Sequence, residues 1–245
     1  MKYPIRNGLI QNWDDMESLW YHLFYNGLKI APEEHPVLLT EVAKNPKACR
    51  EKMIQIMFET FNVPALHVSP QSLLSLYAKG VTSGLVVDIG DGSCKVVPVQ
   101  EGCVVDGGVV DSGMSGVAIT RYLRDLLRLR GVDIEDLETV RCIKERHATV
   151  LPSPFSPRDP LPSERLHQSP DGQLLPVGPE KFLCAEILFQ PSLVQSEAKG
   201  ISQLAFEALL KESPLVAKGG VHLAGGTTLC TGFARRFTTE LQDLL

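Results

Sequence analysis

Residues 84–99 read G-L-V-V-D-I-G-D-G-S-C-K-V-V-P-V. Gly84 to Ile89 is strand-like, G-D-G-S makes a tight turn, and Lys95 to Val99 returns as a second strand. Glycines in such a turn let backbone approach an anion, and successive N–H groups can cradle phosphate oxygens. Asp88 and Asp91 offer the oxygen ligands that a hydrated magnesium ion prefers. A D-G hairpin with two solvated aspartates explains the same residues equally well.

Working outward, a strand is expected at 220–223, running into A-G-G-T-T at 224–228, with an amphipathic helix over 232–244. A glycine pair between strand and helix gives close access to a helix N-terminus, which favours an anion or a nucleotide. A turn that needs positive φ is the other reading. Two such segments about 130 residues apart, each beside a strand, point together to a nucleotide cleft.

The flanks are mainly helical. From Asn12, an N-cap, the first helix carries Met16, Leu19, Trp20, Leu23 and Phe24 on one apolar face. Asn45-Pro46 opens a second helix with Met53, Ile54, Met57, Phe58 and Phe61 inside. Between them, Val37-Leu38-Leu39 is a wholly apolar run that suits a buried central strand. Ser69-Pro70 opens a third helix that Gly80 stops. An amphipathic helix is expected over about 115–130, and others around 135–149, 184–189 and 197–211. Eight of the 17 prolines fall within 151–179, which reads as a loop excursion.

Composition bounds the function. The 245 residues carry a net charge of −5, with 44% apolar and 22% charged residues. That is a globular composition without general attraction to nucleic acid. No stretch approaches a membrane span, and the N-terminus lacks a secretory apolar core. The six scattered cysteines form no zinc pattern and suit a reducing compartment.

Longer stretches carry more. K-Y-P-I-R-N-G, N-W-D-D-M-E, A-P-E-E-H-P-V-L-L-T-E and N-P-K-A-C-R-E-K-M-I-Q-I-M-F-E-T-F-N-V-P-A resemble actin. The likeness continues in order through S-L-Y-A-K-G, D-I-G-D-G, P-D-G-Q, F-Q-P-S and A-G-G-T-T. It is weakest across 100–120 and 148–170.

The resemblance implies the α/β architecture of the actin, hexokinase and Hsp70 ATPases, ribonuclease H-like, with a nucleotide and a divalent metal between two lobes. By resemblance, 1–78 corresponds to the first lobe, 79–114 with 197–245 to the second, and 115–196 to an inserted region holding the Pro-rich loop. Asp88 would organise a magnesium or calcium ion through water, and Gly90, Asp91 and Gly92 would face the phosphates of ATP or ADP. Gln71 matches the residue that positions the attacking water. Gly116, Arg141, Lys144 and Glu145 match positions around the adenosine, and Gly225 and Gly226 the glycine pair beside base and phosphates. The spacing of 141, 144 and 145 puts three side chains on one helix face.

Departures shape the expectation. The sequence begins where the actin pattern is already advanced, past the first phosphate loop, its lysine and the filament-contact loop, and it ends soon after A-G-G-T-T. Lys95 stands where actins carry a histidine that helps activate water. Asn7 replaces a histidine that actins methylate, and Leu229 and Cys230 replace the residues over the adenine. Phosphoryl transfer depends on positioning and charge stabilisation, and each preorganised donor matters by a few kcal/mol. The expected protein is therefore a shortened, incomplete actin-like fold with a structural or interaction role. Its ATP binding and hydrolysis would be weakened or absent, and the missing filament-contact loop puts filament formation in doubt. The alternative is a working actin-like ATP switch. The class implies protein partners, either actin-type binding proteins or subunits of a complex. It also implies a cytoplasmic, cytoskeletal location, with a nuclear one left open.

Overall fold

A computed structural model describes residues 3–154, 164–168, 172 and 174–245. Strands β1 (Ile5–Arg6) and β2 (Leu9–Ile10) form a hairpin before helix α1 (Trp13–Tyr21), which continues as a π-helical turn through Leu28. Strand β3 (Val37–Glu41), helix α2 (Lys47–Glu59) and strand β4 (Leu66–Pro70) follow, then helix α3 (Gln71–Tyr77). Next come strands β5 (Gly84–Ile89), β6 (Cys94–Gln100), β7 (Cys103–Val104) and β8 (Val110–Asp111). Helices α4 (Gly116–Leu129) and α5 (Leu137–His147) precede a hairpin of β9 (Arg165–Gln168) and β10 (Leu174–Val177). The chain ends with helices α6 (Glu180–Glu186), α7 (Ile201–Lys211) and α8 (Pro214–Gly219), strand β11 (Val221–Ala224) and helix α9 (Phe233–Leu244).

Strand β5 lies inside the largest sheet, whose order is β11-β5-β6-β7 with β8 also on β6. It pairs antiparallel with β6, Asp88 opposite Lys95, and parallel with β11, Asp88 opposite Ala224. Every β5 residue except Asp88 is buried. Leu85, Val87 and Ile89 face a core completed by α4, α5, α6, α7 and α9. Val86 alternates to the other face, with Val97, Val99 and Leu76. Two covered faces explain the apolar run Leu85–Val87 in this strand.

The amphipathic helix expected over about 115–130 is α4: its Ile119, Leu123 and Leu127 are buried, with Tyr122 and Leu126 packed beside them. Asn12 caps α1, its side chain accepting from the Asp15 N–H at 3.0 Å. The methionine stripe is core, since Met16, Met53 and Met57 pack with Trp20, Phe24 and Phe61.

Four readings of the first residues need correction. Leu38 is 54% exposed. Strand β3 pairs only with β4 among the described residues, and Val37 and Leu39 turn inward while Leu38 alternates outward. Phe58 is 44% exposed because the buried face of α2 is Met53, Ile56 and Met57, leaving Ile54 half-buried. Leu19 and Leu23 lie one position off the i, i+4 stripe of Met16, Trp20 and Phe24, and both are exposed. Asn45 does not cap α2: its side chain donates to Glu41 Oε2 at 2.8 Å, and the helix starts after Pro46.

Strand β4 and helix α8 add to the expected elements. The loop expected over 151–179 contains β9 and β10; Pro157, Pro160, Pro162 and Pro170 lie outside the described residues. Pro176 fits an edge position, because β10 pairs only with β9 among the described residues. No described helix is long and apolar enough to cross a membrane.

Candidate functional site

The site is built where β5 and β11 end side by side. The β5–β6 turn closes through the Gly90 N–H, which donates to Ser93 O at 2.8 Å. Its carbonyls then serve the start of α4. Gly90 O accepts from the Gly116 N–H at 3.0 Å, and Asp91 O from the Val117 N–H at 2.8 Å. Backbone of the turn thus satisfies orphan donors of α4, whose Ser115 makes no side-chain cap. Thr227 Oγ1 also donates to Gly90 O, at 3.2 Å, fastening the A-G-G-T-T segment to the same turn.

Two glycines are required here by contact. A Cβ at Gly116 would lie 2.8 Å from Asp91 Oδ1 and 2.9 Å from Asp91 Cα. At Gly225, with φ +85°, it would lie 2.3 Å from Ile89 O and 2.7 Å from Asp88 Oδ1. Gly226 faces open space. Gly225→Ala is therefore expected to cost about 2–4 kcal/mol of stability, combining a positive-φ penalty with a backbone clash. Gly226→Ala should stay within about 0.5 kcal/mol of wild type, as for an uncrowded surface position. Urea denaturation of the two variants checks both values.

The charges divide into paired and unpaired. Lys144 Nζ donates to Asp91 Oδ1 at 3.2 Å and to Gly116 O at 3.0 Å, so α5 clamps the turn onto α4. Lys95 Nζ donates to Asp111 Oδ2 at 2.8 Å. On α5, Arg141 pairs with Glu138 at 2.7 Å and lies 3.9 Å from Glu145; its buried Nε lacks a hydrogen-bond partner. The Tyr3 hydroxyl donates to Glu138, bringing the N-terminal residues onto that helix face. Among the described residues Asp88 has no charged partner, and burial pushes its carboxyl above the ordinary range.

In front of the turn lies a cleft of about 380 Å³. Gln71, Gly90, Asp91 and Gly92 line it, together with Thr40, Glu41, Asn45 and Ser93 and an apolar wall that includes Met16, Trp20, Leu39 and Met53. The Gln71 amide donates to Thr40 Oγ1 at 3.4 Å. Asp88, Gly116, Lys144, Gly225 and Gly226 do not line the cleft, and neither do Arg141 and Glu145 on α5. Sequence reading missed Tyr3, Glu41, Glu138 and Thr227. Only Glu138, one helical turn before Arg141, and Thr227, inside the second glycine segment, carried a local signal.

A metal and nucleotide can be tested against these residues. The half-buried Asp88 carboxylate, which no described charge pairs, suits a hydrated cation, and the open face of Gly226 leaves room for a polar ligand. Among the described residues no group of three His, Cys, Asp or Glu could cage a metal directly, so a cation here would keep most of its waters.

The actin family model matches residues 1–245. An actin-like protein of Neurospora crassa is 38% identical over 257 aligned positions, spanning all of this chain and 68% of that protein. The joined turns, their sheet and this likeness along the whole length agree: the chain belongs to the actin family.

Proposed function

We propose that this chain is an actin-type structural or interaction protein whose cleft binds ATP or ADP weakly and does not drive hydrolysis. The charge of the cleft carries this reading. Among the described residues its lining contains Glu41 and Asp91 but no lysine or arginine. The nearby cations Arg50, Lys95 and Lys144 are held by Glu41, Asp111 and Asp91, so none is left over for a ligand's phosphates. A polyphosphate placed against Gly90, Asp91 and Gly92 would find backbone N–H groups but little countercharge.

A bound magnesium or calcium ion would supply some of that charge, held through water by Asp88. In this reading Gln71 faces the position of attacking water. Gly116, Arg141, Lys144 and Glu145 flank the adenosine, and Gly225 and Gly226 approach the nucleotide. Residues 1–78 form one lobe, 79–114 with 197–245 the other, and 115–196 an insertion. Large apolar side chains at the surface, among them Leu19, Leu23, Leu28, Leu38 and Phe58, support a partner-bound role. Those partners would be actin-type binding proteins or complex subunits, in the cytoplasm with the cytoskeleton or in the nucleus.

The half-buried Asp88 carboxylate, left without a charged partner among the described residues, favours a second reading, a working ATP switch. Phosphate release from magnesium-ATP separates the two. The account expects release at the buffer rate, unchanged by Gln71→Ala. Turnover that Gln71→Ala abolishes would establish the switch instead.

A further inference from the structure

Away from the cleft, two histidines meet at a junction that the function above does not use. His147 is the last residue of α5, and His167 lies on β9. Their facing nitrogens, Nε2 of His147 and Nδ1 of His167, are 3.2 Å apart, and the rings meet edge-on with centroids 5.3 Å apart. His167 is 2% exposed, and the remaining ring nitrogen of His147 is buried without a hydrogen-bond partner. In the hairpin, His167 pairs with Leu175, which is buried against the main core with Val177. The pair therefore pins β9–β10 to the end of α5.

Such a bond needs one nitrogen to donate and the other to accept. Two protonated imidazoles are both donors, and the bond cannot form. The surroundings disfavour even one added proton. Arg146 of α5, Arg165 of β9 and Lys181 of α6 all raise the positive potential at His147. Glu180, from the same helix as Lys181, is committed to Arg130 at 2.6 Å and to the Gly178 N–H at 2.8 Å. A metal would meet those same cations, and no third ligand joins the pair among the described residues.

We propose that the His147–His167 pair is an acid-sensitive latch, whose protonation releases the β9–β10 hairpin from the end of α5 and uncovers Leu175 and Val177. The direction follows from linkage. Burial and the neighbouring cations hold both imidazoles below the ordinary histidine value of 6.5. The folded junction thus binds protons less readily than the open one. Its stability is complete above that value and is lost as pH falls below it.

Amide hydrogen exchange on the whole chain at pH 7.5 and 5.5, corrected for intrinsic rates, tests the latch. Amides of 165–168 and 174–177 should lose protection by about tenfold at the lower pH, inside the ceiling of about a hundredfold that two excluded protons set over the one unit below 6.5. Strands β5 and β6 should change less than about twofold and serve as the internal reference. In His147→Gln, which keeps an amide near the pair but does not titrate there, the loss should shrink to about threefold or less. Equal hairpin protection at both pH values, or an undiminished loss in His147→Gln, would overturn the latch. If that variant leaves β5 and β6 unprotected at pH 7.5, ring-proton NMR titration of the wild type decides. Midpoints below 6.5 for both histidines support the latch, and ordinary midpoints contradict it.

Discussion

Arg236→Ala is expected to lower the unfolding free energy by about 3–5 kcal/mol, the range found when one partner of a buried ion pair is removed. Arg236 lies on α9 and is 1% exposed. Its guanidinium donates to Glu186 Oε1 of α6 at 2.8 Å, to Leu151 O at 3.1 Å and to Glu240 one turn along. It also lies 4.8 Å from the centroid of the Phe189 ring. One side chain therefore ties α9 to α6 and to the segment after α5. Truncation would leave the buried Glu186 carboxylate without its arginine. Burial already pushes that carboxyl up, and Arg236 offsets the rise. Without Arg236 the carboxyl rises further, so the variant's deficit should grow as pH climbs through that raised value and shrink in acid. Urea denaturation at pH 5 and 8 reads both effects. The double variant Arg236→Met, Glu186→Leu should recover most of the loss, because an apolar replacement of a buried pair is often nearly neutral.

Asp88→Asn is expected to act in the opposite direction. In the apo protein it should stabilise by about 1 kcal/mol at pH 7, the scale of one uncompensated buried charge made neutral. Asp88 lies opposite Lys95 in the β5–β6 ladder, yet the Lys95 ammonium goes to Asp111. Nothing offsets the burial that raises the Asp88 carboxyl. The folded wild type therefore holds this proton more tightly than the unfolded chain. Its stability falls as pH rises through the folded value, whereas the variant lacks that decline. The advantage of Asp88→Asn should vanish in acid and level off above the transition. A residue that costs stability without packing a core is the signature of a site kept for a ligand. Any thermal shift produced by magnesium or calcium with ATP should disappear in the variant. Destabilisation by Asp88→Asn would mean instead that the carboxylate is satisfied within the fold.

Much of the frame was legible because local chemistry and tertiary packing agree there. The apolar run of 85–87, the D-G turn and the returning strand specify β5 and β6 without outside help. Helix α4 was legible because its apolar period matches its buried face. The direction of shorter faces was not. Leu19, Leu23, Leu38 and Phe58 have the right residue type for a core but point away from Trp20 and Met57, and only the packing partners fix that choice. Side-chain pairing across the chain was also invisible. Lys144 to Asp91 spans 53 positions, and Arg236 to Glu186 spans 50. The spacing of Arg141, Lys144 and Glu145 gave a common helix, but not that Lys144 would clamp the glycine turn while Arg141 turned to Glu138. His147 and His167 carry no motif at all, since their meeting depends on how the β9–β10 hairpin folds onto α5.

The central claim is that a cleft lined by Glu41 and Asp91, without lysine or arginine, holds a nucleotide polyphosphate poorly. Calorimetric titration of the purified 245-residue chain with magnesium-ATP tests it most directly. The account predicts no saturable heat below about 1 mM ATP, equivalent to no more than about 4 kcal/mol of binding free energy. Stoichiometric binding near about 1 μM, abolished by Asp88→Asn, would contradict it.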